Sequence, residues 1–138
     1  MSEQQRAGYR TEPRPLGEPT EVPRRPGMYE RSFVGPEDGV TELFVEEVTF
    51  HEGGAIPLHH HTVVEAWVVL DGALTIRLGE ETIVVEAGHT VAVPPGTPHG
   101  VLNGRALVAR ALAVAPWDHA TFFREATTYL EGLARDEA

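Results

Sequence analysis

The chain has 138 residues and a formal net charge of −10, from 21 acidic and 11 basic residues, with neither cysteine nor lysine. That length supports one domain with one core. The missing residue types exclude disulfides, thiolate metal sites, cysteine nucleophiles, lysine Schiff bases and P-loops. Serine occurs only at Ser2 and Ser32, which argues against a serine hydrolase and leaves metal-centred, histidine or carboxylate chemistry. Charge is uneven: residues 1–27 hold five Arg and four Glu, a net of +1, and residues 28–138 hold six Arg against 17 acids, a net of −11. Such a body repels nucleic acid and anionic membrane surfaces and favours a divalent cation. No apolar run is long enough for a membrane span and no charged-then-apolar leader is visible, so the expected compartment is the cytoplasm.

Residues 1–27 carry five of the 11 prolines and no apolar periodicity, and are expected to form a Pro/Arg-rich N-terminal arm, shaped to cross onto a neighbour. Strands are expected at about 29–34, 40–50, 55–61, 64–70, 73–78, 82–86, 90–93, 98–102 and 106–115, with turn residues between them. Short strands at this density predict an all-β sandwich or barrel over 28–116, and closure would remove its exposed edges. The period then changes. From Asp118, a candidate N-cap, the residues Phe122, Phe123, Ala126, Tyr129, Leu130 and Leu133 fall at helical spacing, so 117–138 is expected to be a C-terminal α-helix on the outer wall or at the mouth.

Within the strands, residues two apart share a face, so His59 and His61 project side by side, and Glu65, Trp67 and Val69 continue that parity. Leu70-Asp71-Gly72-Ala73 reads as a two-residue hairpin that pairs 69 with 74, 67 with 76 and 65 with 78. The inward set is then Glu65, Trp67, Val69, Leu74, Ile76 and Leu78, in which only Glu65 is polar. A lone carboxylate among apolar side chains needs a partner. A metal ion would satisfy it, and so would a network of neutral histidines; the metal is preferred. His99 follows the stiff Pro94-Pro95-Gly96 turn and can face the first two histidines. His60 has the opposite parity, and His51, His89 and His119 are expected to be exposed. Arg110 shares a strand face with Val108, Leu112 and Val114. Facing inward it would clamp a substrate carboxylate; facing outward, the preferred reading, it is a solvated or interface arginine.

Written as spacings, Gly53, His59, His61, Glu65 and Gly72 read G-x5-H-x-H-x3-E-x6-G, and Gly88, Pro94, Gly96, His99 and Asn103 read G-x5-P-x-G-x2-H-x3-N. The pair of motifs, separated by residues 73–87, resembles both signatures of the cupin family with no position missing. The resemblance implies a cupin-type β-barrel (double-stranded β-helix or jelly roll) holding one metal ion on His59, His61, Glu65 and His99. It does not name a reaction, because that fold serves many chemistries.

Three imidazoles and a carboxylate suit Fe(II), which is favoured, or Mn, Co, Ni, Cu or Zn, rather than calcium. Four protein ligands on a six-coordinate ion leave two positions for a substrate or for a substrate atom and dioxygen. Glu65 is the candidate catalytic base. Trp67, Val69, Leu74, Ile76 and, if it faces in, Arg110 are the candidate substrate pocket. The leading expectation is a metal-dependent dioxygenase acting on an enol, diketone or phenol-like molecule. Isomerase, cyclase and decarboxylase activities, or a non-catalytic small-molecule-binding barrel, are the alternatives. The outward apolar residues Val68 and Leu70 predict a homodimer.

Overall fold

Alternation of β-branched and aromatic residues with polar ones sets the local structure, and neighbouring strands then bury the apolar parity. The computed structural model describes residues 1–132 and 134–135. Its strands are β1 (Thr20–Glu21), β2 (Met28–Val34), β3 (Leu43–Phe50), β4 (Ala55–His61), β5 (Glu65–Asp71), β6 (Ala73–Leu78), β7 (Glu81–Glu86), β8 (Thr90–Val93), β9 (His99–Leu102), β10 (Ala109–Pro116) and β11 (Thr127–Tyr129). Two short helical turns, α1 (Glu3–Arg6) and α2 (His119–Thr121), lie near the ends. The strands form two antiparallel sheets, ordered β1-β2-β3-β10-β5-β8 and β11-β4-β9-β6-β7. Among the described residues no ladder joins the two sheets, so the expected closed barrel is a pair of separate sheets sharing one core.

The core fills the space between the sheets with Val48, Phe50, Trp67, Val69, Leu74, Ile76, Val93 and Val101. Burial of each large side chain contributes roughly 1.5–3 kcal/mol. The inner face of β10 is a row of alanines, Ala109, Ala111, Ala113 and Ala115. Ala109 lies opposite Phe50 and Ala113 opposite Trp67, so small side chains make room for large ones.

Four further expectations change. Of the expected inward set, Glu65, Trp67, Val69, Leu74 and Ile76 are buried and Leu78 is partly buried, yet β5 and β6 do not form a hairpin. Both ladder edges of β5 are taken by β10 and β8, and those of β6 by β7 and β9. Gly72, at φ 69°, instead carries the chain from one sheet to the other, so close to β10 that a Cβ would meet the Val108 carbonyl at 2.8 Å. The parity survived because each strand's own alternation sets it, whichever strand is its partner.

The C-terminal helix is the second correction. Asp118 does cap a helical turn, accepting from the Thr121 backbone at 3.0 Å, but that turn runs only through α2 and a π-type turn at Phe122–Ala126. Thr127–Tyr129 then becomes β11 on the edge of β4, while Leu133 lies outside the described residues. Two threonines and a tyrosine suit a strand, and the edge of β4 offered unpaired backbone groups. Third, the N-terminal segment is not a detached arm. Thr20–Glu21 pairs with β2, Val22 is buried in the core, and Arg14 is held by Asp38 and Glu37 of the same chain. Its prolines hid short contacts that have no periodicity. His119 is the fourth: it is tucked between two glutamates rather than exposed. No helix of the described residues is long and apolar enough to cross a membrane.

Candidate metal centre

Strand β4 sits between β11 and β9 and carries two of the histidines. His59 lies directly opposite His99 on β9, and on the other side Tyr129 faces His59 and Thr127 faces His61. Glu65 begins β5 in the opposite sheet and points back at the three imidazoles. The turn at Pro94–Gly96 is tied to this arrangement, since the Gly96 N–H donates to the His61 carbonyl at 2.6 Å. All four side chains are buried, His59 to 3%, His61 to 2%, Glu65 to 3% and His99 to 0% exposure.

The hydrogen bonds fix which nitrogen faces inward. His59 Nδ1 lies 2.7 Å from the Pro57 carbonyl and His99 Nδ1 2.9 Å from the Thr97 carbonyl; a carbonyl only accepts, so both carry their proton on Nδ1. His61 Nδ1 lies 2.7 Å from Thr127 Oγ1, whose own hydroxyl proton is given to the Phe122 carbonyl at 2.9 Å, so here too Nδ1–H donates. Each Nε2 is therefore a bare lone pair aimed at the same point. His61 Nε2 is buried and finds no hydrogen-bond partner among the described residues. A buried acceptor left so costs free energy unless something fills the space.

A metal ion fits that requirement. The four donor atoms lie within 4.8 Å of one another, with Glu65 Oε1 at 3.3 Å from His99 Nε2 and 3.6 Å from His61 Nε2. Donors on one ion with bonds of about 2.1 Å sit roughly 3.0–3.4 Å apart. Burial, together with the neighbouring His99 and His61, pushes His59 down to about 3, which keeps it neutral and able to coordinate. Burial opposes ionisation of Glu65, but the His61 and His99 imidazoles facing it outweigh this and bring the carboxyl down to about 2. The Trp67 indole N–H also donates to Glu65 Oε1 at 2.8 Å, fixing the carboxylate's direction. Three nitrogens and one oxygen of this kind suit a divalent transition ion.

Residues 46–115, just over half the chain, match the cupin domain family. This chain is a cupin. It is 29% identical over 68 residues, 49% of its length, to mannose-1-phosphate guanylyltransferase 2 of Escherichia coli O157:H7, and spans only 14% of that protein. The polyketide cyclase RemF of Streptomyces resistomycificus has the same fold, with a TM-score of 0.70 at 24% identity, covering 84% of this chain and 80% of that one. Oxalate oxidase in complex with glycolate aligns with a TM-score of 0.61 at 21% identity over 72% of this chain and 56% of its own.

Beside the candidate ligands the cupin keeps a small cavity of about 20 Å³, lined by Val22, Arg25, Glu46, Trp67, Phe123, Tyr129 and Arg135 among others. That is room for about one water molecule. Of the expected pocket residues only Trp67 lines it. Val69, Leu74 and Ile76 are sealed in the core farther along their strands. Arg110 faces out, as the preferred reading had it, and is not a pocket residue. The alanine face of β10 is the inward one, and Arg110 pairs instead with Glu47 at 2.9 Å and Asp71 at 2.7 Å on the outer surface.

Several site residues escaped the sequence reading. Thr127, Arg25 and Arg135 carry no local signal, because they reach the centre from the chain ends. Glu46 did carry one, as the single polar residue on the inward parity of Phe44, Glu46, Val48 and Phe50.

Proposed function

We propose that this cupin is a metal-dependent enzyme acting on a small enol, diketone or phenol-like molecule, with dioxygen as the oxidant. The observation that carries the reading is the convergence of three Nδ1-anchored histidines on one point, with a buried carboxylate opposite and one imidazole nitrogen unmatched. When bound there, a divalent transition ion supplies Lewis acidity and, if redox-active like Fe(II), an electron-transfer route. The chain's own residues do the rest. Trp67 holds Glu65 in place, and Thr127 and two backbone carbonyls hold the imidazoles. Phe123 and Tyr129 line the cavity beside the ligands and give it an aromatic wall.

A second reading, cyclisation or isomerisation without oxygen, draws support from the mutual coverage with a polyketide cyclase. Elemental analysis of protein purified without an affinity column should give about one divalent transition metal per chain, lost in His59→Ala/His61→Ala. Wild-type metal content in that variant would remove the metal centre from the reading. Oxygen-uptake screening of diketones and phenols follows. Anaerobic turnover at the aerobic rate, or full activity with redox-inert zinc, would replace the oxygenase by the second reading. Tight binding with no turnover would favour a non-catalytic barrel.

A further inference from the structure

One titratable residue lines both the small cavity beside the candidate ligands and an open cavity at the surface. Glu46, on β3, lines the small metal-side cavity of about 20 Å³. It also lines a second, open cavity of about 450 Å³ on the other side, together with Glu30, Arg31, Thr20 and His119. Glu46 is thus shared by the walls of both cavities. His119 Nε2 lies 3.0 Å from Glu46 Oε2 and 3.5 Å from Glu30 Oε1, so one imidazole nitrogen serves both carboxylates, and its side chain is 31% exposed toward the open side. Phe44 and Phe123 pack edge-on and tilted against the imidazole and hold it there. Arg135 is bonded to Glu30 and so counters that charge.

The trio Glu30, Glu46 and His119 has the composition of a cation site, but the Arg135 guanidinium on Glu30 opposes a second ion. Proton transfer suits the group better. Burial raises Glu46 to about 7, against the bond from His119, while Glu30 adds repulsion. His119 is pulled down by burial, but the two carboxylates outweigh this and hold it near 9. Burial would raise Glu30, yet His119 and Arg135 bring it down to about 2. Near neutrality the set therefore contains a glutamate that can both take and give a proton, beside an imidazolium that can exchange one with water. Glu65 is less suited to that task, being held by Trp67 and facing two imidazoles.

We propose that Glu46 is the proton-transfer group of the metal-side cavity and that His119 positions it and passes its proton to and from the open cavity. The inference rests on the metal-dependent reading above. In the step itself the substrate's O–H, or the C–H beside its carbonyl, breaks. The proton goes to the Glu46 carboxylate and the electron pair stays on the substrate as its phenolate or enolate.

The test compares wild type, Glu46→Gln and His119→Gln, each with and without Zn(II). Elemental analysis should show wild-type zinc in both variants, since neither residue is a ligand. Difference infrared spectroscopy from pH 5 to 9 should show a carboxylic acid band that titrates near neutrality and is missing in Glu46→Gln. Zinc should move that titration down by about one unit or more, because a cation across the cavity favours the carboxylate. His119→Gln should move it up. With a substrate in hand, Glu46→Gln should lower kcat at least 100-fold with KM changed less than threefold, and His119→Gln should displace the pH profile. Wild type that binds no zinc would overturn the metal reading and this inference with it. Wild type that binds zinc while the Glu46 band ignores it, or Glu46→Gln that keeps wild-type kcat, would overturn the inference alone.

Discussion

Replacing Thr127 by Val keeps the size and branching of the side chain and removes one hydroxyl. That hydroxyl accepts from His61 Nδ1–H at 2.7 Å and donates to the Phe122 carbonyl at 2.9 Å. His61 is 2% exposed, so water cannot replace the lost acceptor. Two consequences follow. The fold loses a hydrogen bond at each end, and a buried N–H left without a partner costs about 1–3 kcal/mol. The imidazole also loses what keeps its proton on Nδ1, so the Nε2–H form, which has no lone pair facing the centre, becomes accessible. Removing such an orienting partner typically weakens metal binding by about 10–100-fold, or about 1.4–2.7 kcal/mol. Competition against a chromogenic zinc chelator would read that change. Thr127→Ser, which retains the oxygen, should bind within about threefold of wild type. If Thr127→Val binds zinc as tightly as wild type, Thr127 does not set the His61 tautomer and the geometric argument for a metal on Nε2 loses its support.

Because His119 is held near 9 against an ordinary 6.5, the stabilisation it provides is complete below about pH 6.5 and lost as pH rises through 9. Urea titrations should therefore show wild type exceeding His119→Gln by on the order of 2 kcal/mol at pH 6, with the gap closing by pH 10. Arg110→Ala should cost only about 0.5–1 kcal/mol and leave zinc affinity unchanged, since Glu47 keeps Arg31 at 2.9 Å and Arg110 lies on the outer surface; a loss of metal would return Arg110 to the pocket. On that same outer face Val45 lies opposite Val114, and Leu112 opposite Val68, an apolar row that a second copy of the chain would cover. Light scattering should report a dimer for wild type and a monomer for Leu112→Glu, and a monomeric wild type at high concentration would refute the interface.

The four candidate metal donors were legible because they depend on local rules. Period-two alternation put His59, His61 and Glu65 on one parity, and the Pro94–Gly96 turn placed His99 within reach. Inward sets were equally legible, since each strand carries its own pattern. Which strands pair was not, because ladder partners are chosen by competition among all the edges. Asp71-Gly72 has the composition of a hairpin, yet its two strands found better partners in opposite sheets. The helical spacing after Asp118 held for two turns and then yielded to the edge of β4, where Thr127–Tyr129 gained a ladder that no local propensity reveals. Only the tertiary structure could bring Thr127 to His61 across 66 positions, or set Glu46 of β3 between the metal-side cavity and His119. Tautomer, burial and shared protons are properties of such encounters, and so belong to the fold rather than to any stretch of sequence.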